Sequence, residues 1–366
     1  MKILTIFFLL GFVCLSIFSW LFVDPNLIYL KTFYTGFYTQ RTLVTSIYFF
    51  LISLVFISFW ILNSKERNYS TVKNIIVILC IILFFSYPAI FSFDIFNYIA
   101  TAKVTFLYHE NPYIMMPIEF LGDPLLLFMH AANKIALYGP FWILLTGIPF
   151  LLGFGNFIGI LILFRIAAIL FFLATLKLIF SITKRVESVV FFALNPLVLI
   201  ELLVSVHNDV VMMFLGIASI WLLVKKKIFT GIVIFALSVL IKYSTIFLLP
   251  VVMYLIYSHI VKKKINIDKI FLSCFILMFT IFLLSFIREE IYPWYFVWPL
   301  SFAALLTHKK ILKGALITLS YGMMLRYIPF MLTGSYFGLT PVFKTTAMIL
   351  PPLVFGIFVL IKRYAK

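Results

Sequence analysis

The polar residue best placed to do chemistry is Asp94, in the segment SFDIFNY of residues 92–98. It follows a long apolar run and opens the longest stretch of the chain that lacks one, residues 92–138. A carboxylate at a membrane surface can act as a general base that takes a proton from an attacking hydroxyl group. The alternative is that Asp94 caps an interfacial helix, its side chain accepting hydrogen bonds from free backbone N–H groups. The spacing alone leaves both interpretations open.

A second polar cluster, His207-Asn208-Asp209, separates two apolar runs. Three adjacent polar groups at membrane depth cost free energy, so they usually mark a site or a pathway. The alternative is a polar hinge whose groups satisfy one another's hydrogen bonds. A metal site is the weaker interpretation, because one histidine and one aspartate supply too few ligands.

Three cations stand near the ends of apolar runs. Lys242 and Arg326 are isolated, and Arg288 precedes Glu289 and Glu290. Individually, such residues usually extend their charged ends toward the membrane surface. Together they can hold a lipid phosphate, because a guanidinium pairs with phosphate oxygens and an ammonium adds a point charge.

Arg165 differs from these cations, because it lies in the middle of an apolar run. A charge at that depth is expensive unless it is paired. Glu201, which also lies inside an apolar run, is a candidate partner, and the sequence does not show whether the two meet.

An aromatic segment, residues 292–299 (YPWYFVWP), opens a later apolar run. Tryptophan and tyrosine most often form belts at the two membrane interfaces. Trp294 and Tyr295 can also form a wall against which a sugar ring stacks. Both interpretations place this segment at a membrane surface.

Membrane helices must position these residues, because no soluble fold could bury so apolar a chain. Of the 366 residues 64% are apolar and 11% charged, with a mean hydropathy of +1.18, whereas soluble domains are about 45–50% apolar and about 25% charged. The chain shows no period of two, which excludes a membrane β-barrel and predicts an all-α polytopic membrane protein, one transmembrane domain over residues 1–366. Runs of about 20 apolar residues, the length that crosses a bilayer, occur at residues 3–23, 42–62, 74–91, 157–176, 188–206, 209–224, 229–257, 270–287, 291–306, 311–331 and 341–361.

About 10 to 12 spans are expected. Residues 139–153 and 157–176 are both apolar, yet the flanking charges require an odd number of crossings between residues 138 and 177. Either one of the two runs does not cross fully, or the preceding loop contains another crossing. Residues 229–257 are long enough for two short helices broken near Lys242. In this map residues 92–138 form the outer catalytic loop, and residues 341–366 form the last span with its cytoplasmic tail.

Basic residues indicate which ends of the runs face the cytoplasm. Of the 29 lysines and arginines, 20 fall in loops that contain three acidic residues, at residues 2, 65–73, 177–187, 225–227, 262–269, 309–313 and 362–366. By the positive-inside rule these loops and the N-terminus are cytoplasmic, and the first run, too long for a cleavable signal, is a retained helix. Asp94, residues 207–209, Lys242 and Arg326 then face outward from the cytoplasmic (inner) membrane. No basic patch lies on a soluble domain, which argues against nucleic acid as a partner.

No cofactor motif is present in the sequence. Cys14, Cys80 and Cys274 lie inside apolar runs without ligand-like spacing, so each is predicted to be a core residue. The absence of a P-loop and of a Gly-rich dinucleotide motif argues against chemistry driven by ATP or by a nucleotide sugar. The sequence therefore identifies no cofactor, and whether the protein uses a divalent cation stays open.

In their order along the chain, these segments resemble the GT-C superfamily of multi-spanning glycosyltransferases, and within it the bacterial polyprenyl-phosphate-mannose-dependent mannosyltransferases. Each motif is short, and their order from about residue 90 to 330 is more specific than any one of them. The resemblance implies a GT-C-like helical bundle with a large first outer loop that carries the catalytic aspartate. The resembling segments are residues 93–98 (FDIFNY), 111–113 (NPY), 138–142 (YGPFW), 195–196 (NP), 207–209 (HND), Lys242 with Pro250, 293–295 (PWY) and Arg326.

The resemblance implies a role for each candidate, with Asp94 as the catalytic base or as the group that positions the acceptor. The residues expected around the phosphate and sugar of the donor are His207, Asn208, Asp209, Lys242, Arg288 and Arg326. The residues expected to line the cavity are Asn97, Tyr98, Tyr113, Trp294 and Tyr295.

Two features depart from the family's pattern. Many members carry a pair of acidic residues in the first loop, whereas here a second carboxylate must come from elsewhere, such as Glu110. This departure leaves metal dependence open. The family's loop also usually follows the first span, whereas here two apolar runs precede the third.

The implied reaction moves a hexose, mannose in the family's common case, from a polyprenyl-phosphate sugar to a lipid-linked or glycan acceptor, within membrane lipids. It would be an inverting displacement, with Asp94 as base and cations stabilising the departing phosphate.

The alternative is a transporter or flippase of a lipid-linked glycan, since polar groups between helices also mark pathways. Against it, the sequence shows no paired repeats with broken helices. A third interpretation, a non-catalytic assembly subunit, predicts that Asp94 can be replaced without loss.

Overall fold

The computed structural model describes residues 2–24, 26–27, 30, 39–65, 67–88, 91–287 and 290–364. Within these ranges the chain is helical and contains no β-strand, so the predicted all-α class is confirmed. The α-helices are α1 (Lys2–Ser19), α2 (Arg41–Asn63), α3 (Tyr69–Phe84), α4 (Asp94–Phe106), α5 (Pro140–Leu152), α6 (Phe157–Thr183), α7 (Val186–Ala193), α8 (Pro196–Leu199), α9 (Asp209–Val224), α10 (Ile228–Val239), α11 (Leu249–Ile260), α12 (Ile267–Leu284), α13 (Val297–Ala303), α14 (Lys310–Leu325), α15 (Tyr327–Thr333) and α16 (Thr340–Tyr364). A π-helical segment, Ile200–Val204, extends α8, and short 3-10 turns lie at Trp20–Phe22, Pro117–Glu119, Pro124–Phe128, Tyr243–Leu248, Ser285–Ile287, Pro293–Phe296 and Ala304–Leu306.

Seven helical segments within the described ranges are long and apolar enough to cross a membrane, which makes the chain a multi-pass membrane protein. An eighth candidate is the run from Val186 to Val204, which bends by 60° between α7 and α8. Five shorter apolar helices complete the bundle, and 10 to 12 spans require some of these to cross as well. The seven segments are Ile3–Phe22, Arg41–Asn63, Phe157–Thr183, Tyr243–Ile260, Ile267–Ile287, Lys310–Thr333 and Thr340–Tyr364.

Two predicted irregularities have structural counterparts. α5 has 13 residues, about 20 Å at the rise of an α-helix and less than the roughly 30 Å hydrocarbon core, whereas α6 has 27 residues. Of the two adjacent runs, α5 is therefore the one too short to cross alone.

The run at 229–257 is broken, because α10 ends at Val239 and Lys242 has an extended backbone before a 3-10 turn. The predicted break near Lys242 is confirmed.

Arg165, in the middle of α6, is buried but does not pair with Glu201. Its guanidinium donates to the carbonyl oxygens of Leu83 and Phe84, each at 2.8 Å, and to that of Ser86. Carbonyls at the end of a helix lack an intrahelical N–H partner, and a cation there also matches the helix dipole. Arg165 therefore closes the end of α3, and the candidate pairing with Glu201 is wrong.

The segment between α7 and α9 is buried and packs behind the start of α4. Asn195 stops α7 and starts α8, because its side-chain oxygen accepts a backbone N–H of α8 at 3.0 Å and its amide donates to Ser320 Oγ at 3.0 Å. The π-helical segment that follows carries Glu201, and Val206 then adopts a φ of 58°. This conformation is unfavourable for a β-branched residue, so the surrounding packing must impose it. The consequence is a tight turn that buries His207 beside α4.

Candidate active site

A cavity of about 580 Å³ lies between the start of α4, the residues before α13, and α15 with the first turns of α16. Four residues predicted for the site line it: Asp94, Asn97, Trp294 and Arg326. Its charged residues are Asp24, Arg41, Asp94, Glu290, Arg326 and Lys344. Its ring-bearing residues include Phe91, Phe93, His130, Tyr292, Trp294, Tyr327, Phe330 and Tyr336.

Asp94 is the first residue of α4, and its side chain is 25% exposed. Its backbone N–H donates to Ser92 Oγ at 3.2 Å. The residue that caps α4 is Phe93, and the helix has no side-chain cap, so the structure gives no support to the capping interpretation of Asp94. The helix N-terminus instead favours a negative charge on this carboxylate, which faces the cavity.

His207 lies behind Asp94, fully buried, with Nε2 at 3.7 Å from Asp94 Oδ2. On the other side of the ring, Nδ1 is 2.9 Å from the carbonyl oxygen of Glu201 and 3.2 Å from its Oε2. The Tyr327 hydroxyl donates to Glu201 Oε1 at 2.8 Å, and the imidazole stacks on Trp294 with ring centres 4.4 Å apart. His207 was expected to contact the donor, and the structure places its ring behind the cavity wall, next to Asp94.

Asp209 and Lys242 form an ion pair with each other behind the cavity wall. Lys242 Nζ donates to the two carboxylate oxygens at 3.1 and 3.2 Å, and Trp298 Nε1 donates to Oδ1. Nζ also lies 4.7 Å from the centre of the Tyr295 ring, a cation–π contact. Neither charged residue belongs to the cavity wall. Asp209 and Lys242 were expected around the donor phosphate, and in this structure they pair with each other.

Arg326 lies on the cavity wall, as expected of a residue that holds a phosphate, and it meets a second cation there. Its Nη2 donates to Glu290 Oε1 at 2.8 Å, and Lys344 Nζ donates to the same carboxylate at 3.0 and 3.3 Å. Both cations are largely buried, whereas the Glu290 side chain is 30% exposed. One carboxylate thus bridges two cations at the edge of the cavity.

Tyr98, Tyr113 and Tyr295 were expected to line the cavity and do not. Tyr98 is fully buried, and its hydroxyl accepts the backbone N–H of Asn208 at 3.1 Å. Tyr113 donates its hydroxyl hydrogen to the carbonyl oxygen of Tyr138 at 2.8 Å. Tyr295 belongs to the ion-pair cluster. Asn208 is also buried away from the cavity.

Several wall residues were missed by sequence reasoning. Asp24 follows the first span, which is where the family's acidic loop usually begins, so a signal for it existed. Its Oδ1 accepts the N–H of Asn26 at 2.8 Å in a local turn. Lys344, near the start of the last span, was not among the predicted site residues. Glu110, the suggested source of a second carboxylate, is exposed and lies off the cavity.

Arg288, expected at the donor, lies outside the described residues. Among those that are described, no group of three or more histidine, cysteine, aspartate or glutamate side chains is arranged to hold a metal ion. All three cysteines are free. Cys80 and Cys274 are buried as predicted, but Cys14 lies on the exposed face of α1, so its prediction as a core residue is wrong.

An ion pair stabilises the loop after α4, which supplies His130 to the cavity wall. Lys103 Nζ donates to Asp123 Oδ1 at 2.6 Å, and the Tyr108 hydroxyl donates to Oδ2 at 2.9 Å. Burial alone would raise the pKa of Asp123, but hydrogen bonds from Lys103, a backbone N–H and Tyr108 lower it below its ordinary value. Burial and the nearby carboxylate raise the pKa of Tyr108 to about 12, so the hydroxyl stays a donor.

We expect this loop to loosen in acid. Because the pKa of Asp123 is lower in the folded state, its stabilisation is present above the unfolded value of about 3.9 and is lost as pH falls through the folded value. Hydrogen–deuterium exchange should show reduced amide protection over residues 107–125 below about pH 4, and Asp123→Asn should show it at neutral pH. Glu119→Gln, whose parent side chain accepts only the Met116 N–H, is the control. Full protection in Asp123→Asn would contradict this role.

The fold and the cavity define a polytopic helical membrane protein with a cavity lined by charged and aromatic residues. Residues 5–258 match the model of the MptA_B family, described as alpha-(1->6)-mannopyranosyltransferase, N-terminal domain. The match covers more than half of the chain, which therefore belongs to this family of membrane mannosyltransferases. No curated protein and no solved structure matched. The predicted membership among GT-C mannosyltransferases is confirmed, and Glu290, Arg326 and Lys344 lie beyond the matched residues.

Proposed function

We propose that this mannosyltransferase uses a polyprenyl-phosphate mannose donor at the outer face of the cytoplasmic membrane, with Asp94 as the base that activates a lipid-linked or glycan acceptor. The observation that carries the proposal is that Asp94 shares one cavity with Arg326 and Lys344. A displacement at the anomeric carbon needs a base for the attacking hydroxyl and positive charge for the departing phosphate. The cavity wall offers both.

The phosphate end of the proposed site is the pair of cations that Glu290 bridges. Carboxylate oxygens there stand in for phosphate oxygens, because both are anionic acceptors that match guanidinium and ammonium donors. When the donor binds, its phosphate takes the place of the Glu290 carboxylate between Arg326 and Lys344. The two cations then stabilise the second negative charge that the phosphate gains as it leaves.

The sugar and the lipid chain fit different surroundings. Tyr292 and Trp294 stack on each other with ring centres 4.4 Å apart, and both line the cavity, where they present an aromatic surface to a sugar ring. A volume of about 580 Å³ accommodates a hexose and a phosphate and falls in the ordinary range of small-ligand pockets. The isoprenoid chain must lie outside it, along the apolar faces of the helices.

The proposed reaction forms one bond and breaks one bond. The acceptor oxygen attacks the anomeric carbon, the bond from that carbon to the phosphate oxygen breaks, and its electron pair leaves with the phosphate. The proton of the acceptor hydroxyl passes to Asp94. The anomeric configuration is inverted, since a single displacement occurs from the face opposite the phosphate.

Donor cleavage by the purified protein tests this proposal. The wild type in lipid nanodiscs would be incubated with labelled mannose on polyprenyl phosphate or on a nucleoside diphosphate, and mannose released to acceptor or water would be counted. We expect release from the lipid phosphate alone. Release from the nucleotide sugar alone would contradict the proposed donor, and movement of a lipid-linked glycan across vesicles without donor cleavage would favour a flippase.

Glu290→Gln should bind the donor more tightly. The neutral side chain no longer competes with the phosphate for Arg326 and Lys344, so the donor KM should fall by up to about 10-fold, equivalent to about 1.4 kcal/mol, with little change in kcat. Asp24→Asn is the matched comparison, since it removes a negative charge from the same cavity and should lower KM less. A raised donor KM in Glu290→Gln would show that Glu290 positions the cations instead of competing for them.

A further inference from the structure

Glu201 is a carboxylate buried where a charge is expensive. It is 0% exposed, in the π-helical segment between α8 and α9. Its side chain meets the Tyr327 hydroxyl at 2.8 Å and His207 Nδ1 at 3.2 Å, and within the described ranges it forms no ion pair with lysine or arginine. A buried carboxylate must either take up a proton or face a cation. The one group placed to be that cation is the imidazole of His207.

The surroundings of His207 favour protonation of both ring nitrogens. Nδ1 faces two oxygens of Glu201, its carbonyl at 2.9 Å and Oε2 at 3.2 Å, and Nε2 faces Asp94 Oδ2 at 3.7 Å. Trp294 covers the ring at 4.4 Å, and an aromatic face attracts positive charge. An imidazole with acceptors on both sides and an aromatic ring on its face is best satisfied as an imidazolium.

Two other carboxylates near Glu201, His207 and Asp94 are already paired with cations. Asp209, which also faces His207, is bound by Lys242, and Glu290 is bound by Arg326 and Lys344. The cavity wall that carries Asp94 also carries Asp24, Arg41 and His130. Buried tyrosines face these residues as well, Tyr48 and Tyr327 beside Glu201 and Tyr98 and Tyr138 beside Asp94. None of these tyrosines supplies a positive charge.

We propose that Glu201 and His207 are positioning residues for the base: Glu201 holds His207 as an imidazolium, and the imidazolium orients Asp94 and keeps its carboxylate ionised. This inference rests on the proposed function, in which Asp94 is the base. His207 and Glu201 act through Asp94 and contact no substrate, because both are fully buried behind the cavity wall. The bond from Tyr327 fixes the Glu201 carboxylate in the orientation that faces the ring.

The pH dependence of kcat/KM separates this role from a merely structural one. In Glu201→Gln the imidazolium is no longer stabilised, so Asp94 retains its proton to higher pH and the acid limb should move up by about one to three pH units. His207→Gln should produce the same shift. The double variant should shift no further than either single variant, because both act through one charge. An acid limb at the wild-type pH in Glu201→Gln, or additive shifts in the double variant, would overturn the inference.

A matched pair of tyrosine variants provides the control. Tyr327→Phe removes the hydroxyl that fixes Glu201 and should shift the acid limb in the same direction, by less than Glu201→Gln does. Tyr48→Phe also removes a buried hydroxyl, one that donates to the carbonyl oxygen of Met324 at 2.8 Å, and should leave the acid limb in place. Equal shifts in the two variants would mean that the effect comes from repacking and would overturn the assignment.

A measurement without turnover keeps this inference separate from the proposed function. Infrared difference spectra between the wild type and Glu201→Gln at neutral pH should show the loss of a carboxylate band and no loss of a protonated-carboxyl band. Loss of a protonated-carboxyl band would overturn the assignment of His207 as an imidazolium, even if Asp94→Asn abolishes transfer as the proposed function requires. If Asp94→Asn transfers mannose normally, the proposed base is wrong whatever the spectra show.

Discussion

Asp94→Asn should lower kcat for mannose transfer by about 10²- to 10⁴-fold, the usual contribution of a positioned general base. Asparagine has nearly the same shape but cannot accept the proton of the acceptor hydroxyl. The donor should still bind, because the phosphate contacts proposed for Arg326 and Lys344 are unchanged, so the donor KM should stay close to that of the wild type. Initial rates with labelled polyprenyl-phosphate mannose measure both quantities.

Two other carboxylates make this experiment selective. Glu110→Gln alters an exposed carboxylate in the same loop but away from the cavity, and it should retain the wild-type rate. Asp24 also lines the cavity and provides the competing assignment. Full activity in Asp94→Asn together with loss of activity in Asp24→Asn would transfer the role of base to Asp24.

Lys242→Met should destabilise the protein by about 3 to 5 kcal/mol, because it leaves the buried Asp209 carboxylate without its cation. Asp209 is 0% exposed, and Lys242 Nζ contacts both of its oxygens. The remaining bond from Trp298 does not neutralise the charge. Denaturant titration in detergent, followed by intrinsic tryptophan fluorescence, measures the free energy of unfolding.

Two variants test whether the unpaired Asp209 carboxylate causes the loss of stability in Lys242→Met. Lys225→Met removes an exposed lysine that also lies over a tryptophan ring, and it should change stability by no more than about 0.5 kcal/mol. The double variant Asp209→Asn, Lys242→Met removes both charges and should recover part of the stability lost in Lys242→Met. A double variant less stable than Lys242→Met would contradict this explanation.

The membrane fold was predictable because its causes are local. Apolar runs of bilayer length predict helices, and such runs are visible in the sequence itself. The break near Lys242 was visible for the same reason, since a cation lies inside a run too long for one span. The 60° bend at Asn195-Pro196 was not predicted, although both residues are typical of a helix end.

The site was only partly predictable, because charge topology assigns a residue to a side of the membrane but not to a face of its helix. Asp94, Trp294 and Arg326 do line the cavity. His207 and Lys242 lie near the same end of the bundle, yet the irregular backbone at each residue directs its side chain toward a buried carboxylate. Which face of a helix meets a neighbour depends on contacts between residues distant in sequence.

Partners of buried charges were also beyond the sequence. Glu201 was only a candidate partner of Arg165, whose actual partners are backbone carbonyls at the end of α3. Every helix end presents such carbonyls, so no residue type marks them. Lys344 was overlooked for a related reason, because its role depends on Glu290, which is 54 positions away in the sequence.

A density map of the protein with a non-transferable polyprenyl-phosphate mannose analogue tests the central claim most directly. We expect the phosphate between Arg326 and Lys344, the Glu290 carboxylate displaced from them, and the anomeric carbon with its open face toward Asp94. Donor density that lies elsewhere, with Glu290 still bound to both cations, would contradict the proposed site.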